Sequence, residues 1–234
     1  MERFDMTAQL DSTAAPYGIP AAPASGFVAG TLVHTREGPV PIENLRVGDW
    51  ALSKAEEGGV QSYKRVVKTF AFEEPKEVIC VDVWKNPEGW MNGERAGFVV
   101  TPNHPFYVRG KGWIAAELLH KTMILELQGG TTCGVVNQSP LFQTAVECVA
   151  WMDGFVNSQR GTGKGRTIDL RDGAVRFDYE TVGNRFVTDT SDAATFGFKR
   201  PVFNIEVEDN HTYSVGEWGV WVHNMDLSNP DRVR

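Results

Sequence analysis

Short runs of alternating apolar and polar residues recur along most of the chain from Phe27 onward, separated by Gly, Asn or Pro. Runs of this length, rich in β-branched and aromatic residues, predict β-strands. The predicted strands lie in FVAGTLVHT, in REGPVPIENL as a turn with a short return strand, and in VGDWALSK, VQSYKRVVKTFAF, EVICVDVW, GFVVT, TMILELQ, LFQTAVECVAWM, PVFNIEVED and HTYSV. The pattern therefore predicts an all-β, largely antiparallel protein.

Helical periodicity is weak everywhere in the chain. The best helix candidate is IAAELLHK at 114–121, a segment of about two turns that is too short to be stable without tertiary support. We find no repeat of fixed period. The sequence therefore predicts at most short helices.

Three segments fall outside the strand pattern. Residues 11–26 are rich in Ala, Pro, Ser and Gly without periodicity, as in a linker. Residues 157–177 are interpreted as an excursion whose GTGKG forms a flexible hairpin tip, because a phosphate-binding loop needs the spacing GxxxxGK[ST] and a following helix. The last ten residues, MDLSNPDRVR, are polar.

Composition excludes several classes of function. Of 234 residues, 41% are hydrophobic, and 23 basic residues against 30 acidic ones leave a formal charge of −7. A sizeable core is expected, and the acidic balance disfavours nucleic acid as a partner. No apolar run reaches the ~18 residues of a membrane span. The N-terminus lacks the apolar region of a signal peptide.

The cysteines and histidines do not form a familiar metal motif. Cys80, Cys133 and Cys148 are odd in number, and the chain is long enough to fold without disulfides, so we interpret them as reduced core residues. A catalytic cysteine is the alternative, but none lies in a nucleophile motif. No C-x-x-C or H-E-x-x-H spacing supports a metal site, and His34 and His120 are interpreted as structural.

Three segments carry candidate chemistry: GFVAGTLVHTREGPVPIENLRVGDWALS (26–53), TPNHPFYV (101–108) and VFNIEVEDNHTYSVGEWGVWVHN (202–224). The third ends in His223 and Asn224. An asparagine side chain can attack its own backbone carbonyl, closing a five-membered ring, and the tether removes much of the entropic cost. Neighbouring histidines can move protons and stabilise the oxyanion.

Together these segments resemble the Hint superfamily: inteins, bacterial intein-like domains, hedgehog-type autoprocessing domains and especially the pretoxin Hint domains of polymorphic bacterial toxins. The resemblance implies a pseudo-twofold horseshoe over residues 26–224, with flanks at 1–25 and 225–234 and the two junctions close together. It implies that Thr101 and His104 contact the N-terminal junction. It assigns His211, His223 and Asn224 to the C-terminal junction.

The sequence departs from this family at three positions. Gly26 occupies the place of the family's Cys or Ser nucleophile, so an acyl shift and splicing are excluded. Met225 cannot accept an acyl chain, which leaves cleavage between Asn224 and Met225. Asn204 replaces a common Asp and is expected to weaken coupling between the junctions. Because Thr101 and His104 remain, Gly26→Cys is predicted to restore N-terminal thioester chemistry.

By resemblance, the domain acts in cis without a cofactor, between an N-terminal delivery region and a C-terminal toxin that its cleavage releases. The expected location is the bacterial cytoplasm before export, with delivery or secretion as part of a larger effector. Two alternatives remain: an inactive Hint scaffold that serves as a spacer or interaction module, and a metal-dependent hydrolase on a β scaffold.

Overall fold

The computed structural model describes residues 24–55, 59–85, 93–153, 165–178 and 197–224. Their strands are β1 (Leu32–Thr35), β2 (Gly38–Pro41), β3 (Trp50–Ser53), β4 (Ser62–Glu77), β5 (Ile79–Lys85), β6 (Glu94–Val100), β7 (Pro105–Val108), β8 (Gly112–Ala115), β9 (Ile124–Glu126), β10 (Thr132–Pro140), β11 (Phe142–Gln143), β12 (Val149–Asp153), β13 (Gly165–Asp169), β14 (Arg176–Asp178), β15 (Lys199–Val207), β16 (Thr212–Val215) and β17 (Val220–His223). The helical elements of these ranges are single 3₁₀ turns at Ile42–Asn44, Ala116–Leu118 and Gln128–Gly130. In this part of the chain no helix has the length and apolarity to cross a membrane. The predicted all-β class is confirmed.

Thirteen strands form one antiparallel sheet in the order β15-β4-β3-β1-β16-β17-β7-β9-β10-β5-β6, with β2 beside β1 and β8 beside β7. The other four, β11-β12-β13-β14, form a second antiparallel sheet. The order shows that β17, which carries His223, lies between β16 and β7 in the middle of the large sheet. The C-terminal motif is therefore held on both sides by neighbouring strands.

Phe27 closes the large sheet on itself. It forms an antiparallel bridge with Phe203 in β15 and another with Val100 in β6, and these are the two end strands of the sheet. Paired hydrogen bonds join the backbones of Phe27 and Phe203 at 2.9 and 2.8 Å. The sheet is therefore curled, and the segment around residue 26 lies at the seam between its edges.

The core has two parts, on opposite faces of the strands near this seam. Phe27 belongs to the main core inside the curled sheet, and the next residue, Val28, belongs to a smaller core. The smaller core contains Cys80 of β5 and Ile168 of β13, so the second sheet packs there. Alternation of side chains along a strand explains why adjacent residues serve different cores.

Several sequence predictions need correction. IAAELLHK forms the end of β8 and one 3₁₀ turn, because the amides of Ala116 and Glu117 donate to the carbonyls of His104 and Pro102 at 2.9 Å each. FVAGTLVHT is interrupted by a turn at Gly30 (φ 82°) before β1 begins. Strand β10 was not predicted. The excursion contributes β13 and β14, and most of its GTGKG lies outside the described residues.

Candidate active site

Thr101 holds the backbone of Gly26 by two hydrogen bonds. Its hydroxyl accepts from the Gly26 amide at 3.1 Å, and its own amide donates to the Gly26 carbonyl at 3.0 Å. The Thr101 side chain lies just beyond the end of β6 and is fully buried. The structure thus brings the threonine of the T-x-x-H motif to the N-terminal junction.

His104 lies in the main core beside this junction. Its imidazole is fully buried, its centroid is 4.4 Å from that of Phe27, and neither ring nitrogen bonds to a described residue. Burial lowers the pKa of His104 from its ordinary 6.5 to about 3, with a smaller contribution from the charge of His223. The imidazole is therefore neutral at physiological pH.

Gly26 has no room for a side chain. A Cβ added there would lie 2.4 Å from the carbonyl oxygen of Phe203 and 2.9 Å from its carbonyl carbon, and both atoms belong to the backbone of β15. The Phe27–Phe203 bridge fixes this close approach. A thiol at 26 would therefore require the seam to open, which argues against the expectation that Gly26→Cys restores thioester chemistry.

Asn224 is buried at the end of β17, where residue 224 is the last of the described range; Met225 lies outside it. The Asn224 amide N–H donates to the carbonyl of His211 at 2.7 Å. Its side-chain Oδ1 accepts from Nδ2 of Asn204 at 3.1 Å. Both the backbone and the side chain of the proposed reacting residue are thus held in place.

Asn204 connects the two predicted junctions. Its Nδ2 also donates to the carbonyl of Ser25 at 3.1 Å, and its Oδ1 accepts from the Tyr213 hydroxyl at 2.6 Å and the Ile205 amide at 2.8 Å. Asparagine can donate twice from Nδ2, as both acceptors here require, whereas a carboxylate could donate to neither. This amide links Ser25 to Asn224, which argues against the expected loss of coupling at residue 204.

His223 lies beside His211 and Trp113. The His223 and His211 ring centroids are 6.5 Å apart, and the edge-to-face contact with Trp113 in β8 has a centroid distance of 5.0 Å. In the β16–β17 ladder, Thr212 pairs with His223, so His211 lies one residue before the partner of His223. The two histidines predicted at the C-terminal junction are brought together there.

Two residues near the histidines were missed by the sequence reasoning. Trp113 carries no signal in a single sequence, because only the pairing of β7 with β8 and β17 brings it to His223. Glu206, whose Oε1 lies 3.3 Å from His211 Nδ1, follows Asn204 by two residues on β15. The period of two along a strand places positions 204 and 206 on one face, which is the signal that could have found Glu206.

The remaining histidines and the cysteines lie outside this cluster of contacts. His34 Nε2 is 2.6 Å from the Gly216 carbonyl oxygen, and the exposed His120 bonds the carbonyl of Lys121. The three cysteines form no disulfide, and burial raises the pKa of the Cys133 thiol to about 12. In the described ranges, no three His, Cys, Asp or Glu side chains are grouped as metal ligands.

Solved structures identify the fold. The solution structure of the bacterial intein-like domain from Clostridium thermocellum matches with a TM-score of 0.52 and 21% identity, covering 86% of this chain and 100% of that one. The gp41-1 intein matches with a TM-score of 0.46 at 15% identity, covering 86% and 100%. A DnaB intein from Synechocystis sp. PCC 6803 matches with a TM-score of 0.47 at 13% identity, covering 86% and 98%. The curled sheet is the Hint, or intein-like, fold.

The family model "Pretoxin HINT domain" matches residues 32–166, more than half of the chain. The chain belongs to the pretoxin HINT family, whose name places such domains in toxin precursors. No curated protein sequence matches the chain.

Proposed function

We propose that residues 26–224 form a self-processing domain that breaks the peptide bond between Asn224 and Met225. The observation that carries this proposal is the fixed position of Asn224. Its backbone amide is bonded to His211, and its side-chain oxygen is bonded to Asn204, in a buried setting. Immobilising a nucleophile beside its own electrophile lowers the entropic part of the barrier.

The proposed step is intramolecular. Nδ2 of Asn224 attacks the backbone carbonyl carbon of the same residue. The new Nδ2–C bond closes a succinimide ring, the C–N bond to Met225 breaks, and one proton passes from Nδ2 to the departing nitrogen. The succinimide then hydrolyses to Asn or isoAsn, and Met225 becomes a new N-terminus.

The neighbouring histidines suit the two proton transfers of this step. We assign proton removal from the Asn224 amide to His211, and donation to the oxyanion or the leaving nitrogen to His223. Trp113 packs against His223 and limits its rotation. Thr101 holds the backbone of Gly26 and His104 packs against Phe27, but Gly26 provides no nucleophile, so C-terminal cleavage proceeds without splicing.

In a toxin precursor, this cleavage would separate a C-terminal segment beginning at Met225 from the rest of the protein. The domain would act in cis and only once, so it is a single-turnover autoprotease. We place residues 1–25 next to a delivery region and the C-terminal flank next to the toxin. Synthesis would take place in the bacterial cytoplasm, before export as part of a larger effector.

A second candidate function is an inactive scaffold that spaces or docks neighbouring regions. The close approach of Gly26 to Phe203 favours it, because the seam is packed where active family members carry a nucleophile. Thr101 and His104 would then serve only stability. This candidate predicts that the whole chain stays intact on incubation.

Intact-mass spectrometry of the purified chain over time tests both functions. We expect a fragment ending at Asn224, first seen one water lighter as the succinimide, and a peptide starting at Met225. Asn224→Ala should remain whole, whereas Asn137→Ala, which changes a half-buried asparagine of β10, should cleave like the parent. Cleavage of Asn224→Ala at the same bond and rate would rule out cyclisation. An intact parent chain would favour the scaffold.

A further inference from the structure

Glu206 lies beside the imidazole of His211. Its Oε1 is 3.3 Å from His211 Nδ1, and each of the two side chains is 24% exposed. Nδ1 is not aligned for a hydrogen bond to this oxygen, so the contact is an electrostatic one defined by distance. Partial burial strengthens such a contact, because less water screens it. Asn204, two residues earlier on β15, bonds Asn224. One face of β15 therefore supplies both the contact to Asn224 and the contact to His211.

The backbone of His211 is held in a fixed conformation between β15 and Asn224. Its φ is 54°, in the left-handed region that non-glycine residues rarely adopt. Its amide donates to the Val207 carbonyl at 3.2 Å, and its carbonyl accepts from the Asn224 amide. The turn after β15 thus folds back, attaching His211 to that strand on one side and to Asn224 on the other.

In the described part of the chain, the ion-pair partner of Glu206 is His211. Lys68 is directly opposite Glu206 in the β4–β15 ladder, but its ammonium lies over the ring of Phe70, 4.7 Å from the centroid. The Glu206 carboxylate is therefore not paired with Lys68 and contacts the His211 imidazole.

We propose that Glu206 is a positioning residue that keeps the proton of neutral His211 on Nδ1. Nε2 then carries the lone pair that accepts a proton from the Asn224 amide. A carboxylate on one ring nitrogen determines which nitrogen remains basic, and it also stabilises the imidazolium that forms. The part played by Nε2 rests on the proposed self-cleavage; the tautomer itself does not.

The tautomer is measured in the Asn224→Ala background, where the chain cannot cyclise. Long-range ¹H–¹⁵N spectra of protein labelled at histidine distinguish a protonated Nδ1 from a protonated Nε2. We expect Nδ1–H at His211 in the parent and a shift toward Nε2–H in Glu206→Ala. Glu208→Ala, which changes an exposed glutamate two residues away, should leave the spectrum unchanged. A dominant Nε2–H form in the parent would overturn the proposal.

Cleavage rates supply the second readout. With Asn224 present, Glu206→Ala should slow cleavage about 10-fold to 100-fold, the range found when the carboxylate partner of a metal-binding histidine is removed. Glu206→Gln keeps an oxygen acceptor but loses the charge, so it should retain the Nδ1–H tautomer and cleave at an intermediate rate. Equal rates for Glu206→Ala and Glu208→Ala would contradict the proposal. If the parent chain does not cleave, the proposed function fails, while the tautomer experiment still decides the role of Glu206.

Discussion

Asn204 donates a hydrogen bond from Nδ2 to Oδ1 of Asn224 across 3.1 Å, and both side chains are buried. The orientation of the Asn204 amide follows from its other partners. The Ser25 carbonyl can only accept and the Ile205 amide can only donate, so Nδ2 and Oδ1 cannot be exchanged. Asn224 therefore presents its oxygen to Asn204 and its nitrogen in another direction.

Replacing this donor should slow cleavage. In Asn204→Asp, an ionised carboxylate faces two oxygens to which it cannot donate, and the buried hydrogen bond that holds the Asn224 side chain is lost. We expect the rate at pH 7 to fall about 10-fold to 100-fold. At acidic pH the protonated carboxyl regains one donor, so the ratio of variant to parent rate should rise. Intact mass spectrometry from pH 5 to 8 measures it, and a constant ratio near one would contradict a donor role.

His211 and His223 should both be needed for fast cleavage after Asn224. His211→Ala and His223→Ala should each slow cleavage about 10²-fold to 10⁴-fold, through lost proton transfer or oxyanion stabilisation. His120→Ala is the matched control, because His120 is exposed and, in the described structure, its ring bonds only the carbonyl of Lys121. Circular dichroism verifies folding. Parental rates in folded His211→Ala or His223→Ala would remove that residue from the mechanism.

The seam at Gly26 should not tolerate a side chain. Gly26→Ala places a Cβ against the Phe203 carbonyl, and we expect a loss of about 1–3 kcal/mol of unfolding free energy with a lower Tm. Gly134→Ala is the control, because a Cβ there meets its nearest neighbours at 3.9 Å. Gly26→Cys incubated with dithiothreitol should release no fragment of residues 1–25. Release of that fragment would show that the seam opens enough for thioester formation.

Burial of His104 should make stability depend on pH. Its folded pKa of about 3 is below the ordinary 6.5, so below pH 6.5 the unfolded chain binds a proton that the folded chain does not. Stability is unaffected above pH 6.5 and is lost as the pH falls toward 3, by about 2–3 kcal/mol at pH 4.5.

The test uses Asn224→Ala protein to prevent cleavage. Urea unfolding at pH 7.5 and 4.5 is compared for this parent, for His104→Leu and for His120→Leu. We expect His104→Leu to lose less stability on acidification than the parent, and the exposed control to behave like the parent. The same pH dependence in all three would mean that His104 becomes protonated within the folded protein.

The sequence alone was sufficient for the fold class and for most of the candidate residues. Alternation along a strand is a local property, so HTYSV and PVFNIEVED could be recognised as strands without knowing their partners. The proposed chemistry of Asn224 next to His223 is likewise local, because the two groups proposed to react belong to one residue. The absence of a nucleophile at Gly26 is also visible from its residue type.

Other features depend on which distant strands become neighbours. The hydrogen bonds of Asn204 to Ser25 and Asn224 join residues that only the closing of the sheet brings together. The same holds for the contact of Trp113 with His223 and for the lack of space at Gly26. Pairing register is set by the burial of whole strand faces in a common core, and a one-residue slip would exchange every inward and outward side chain. Only the tertiary structure could therefore show that Asn204 links Ser25 to Asn224 and that a Cβ at residue 26 would meet the Phe203 carbonyl.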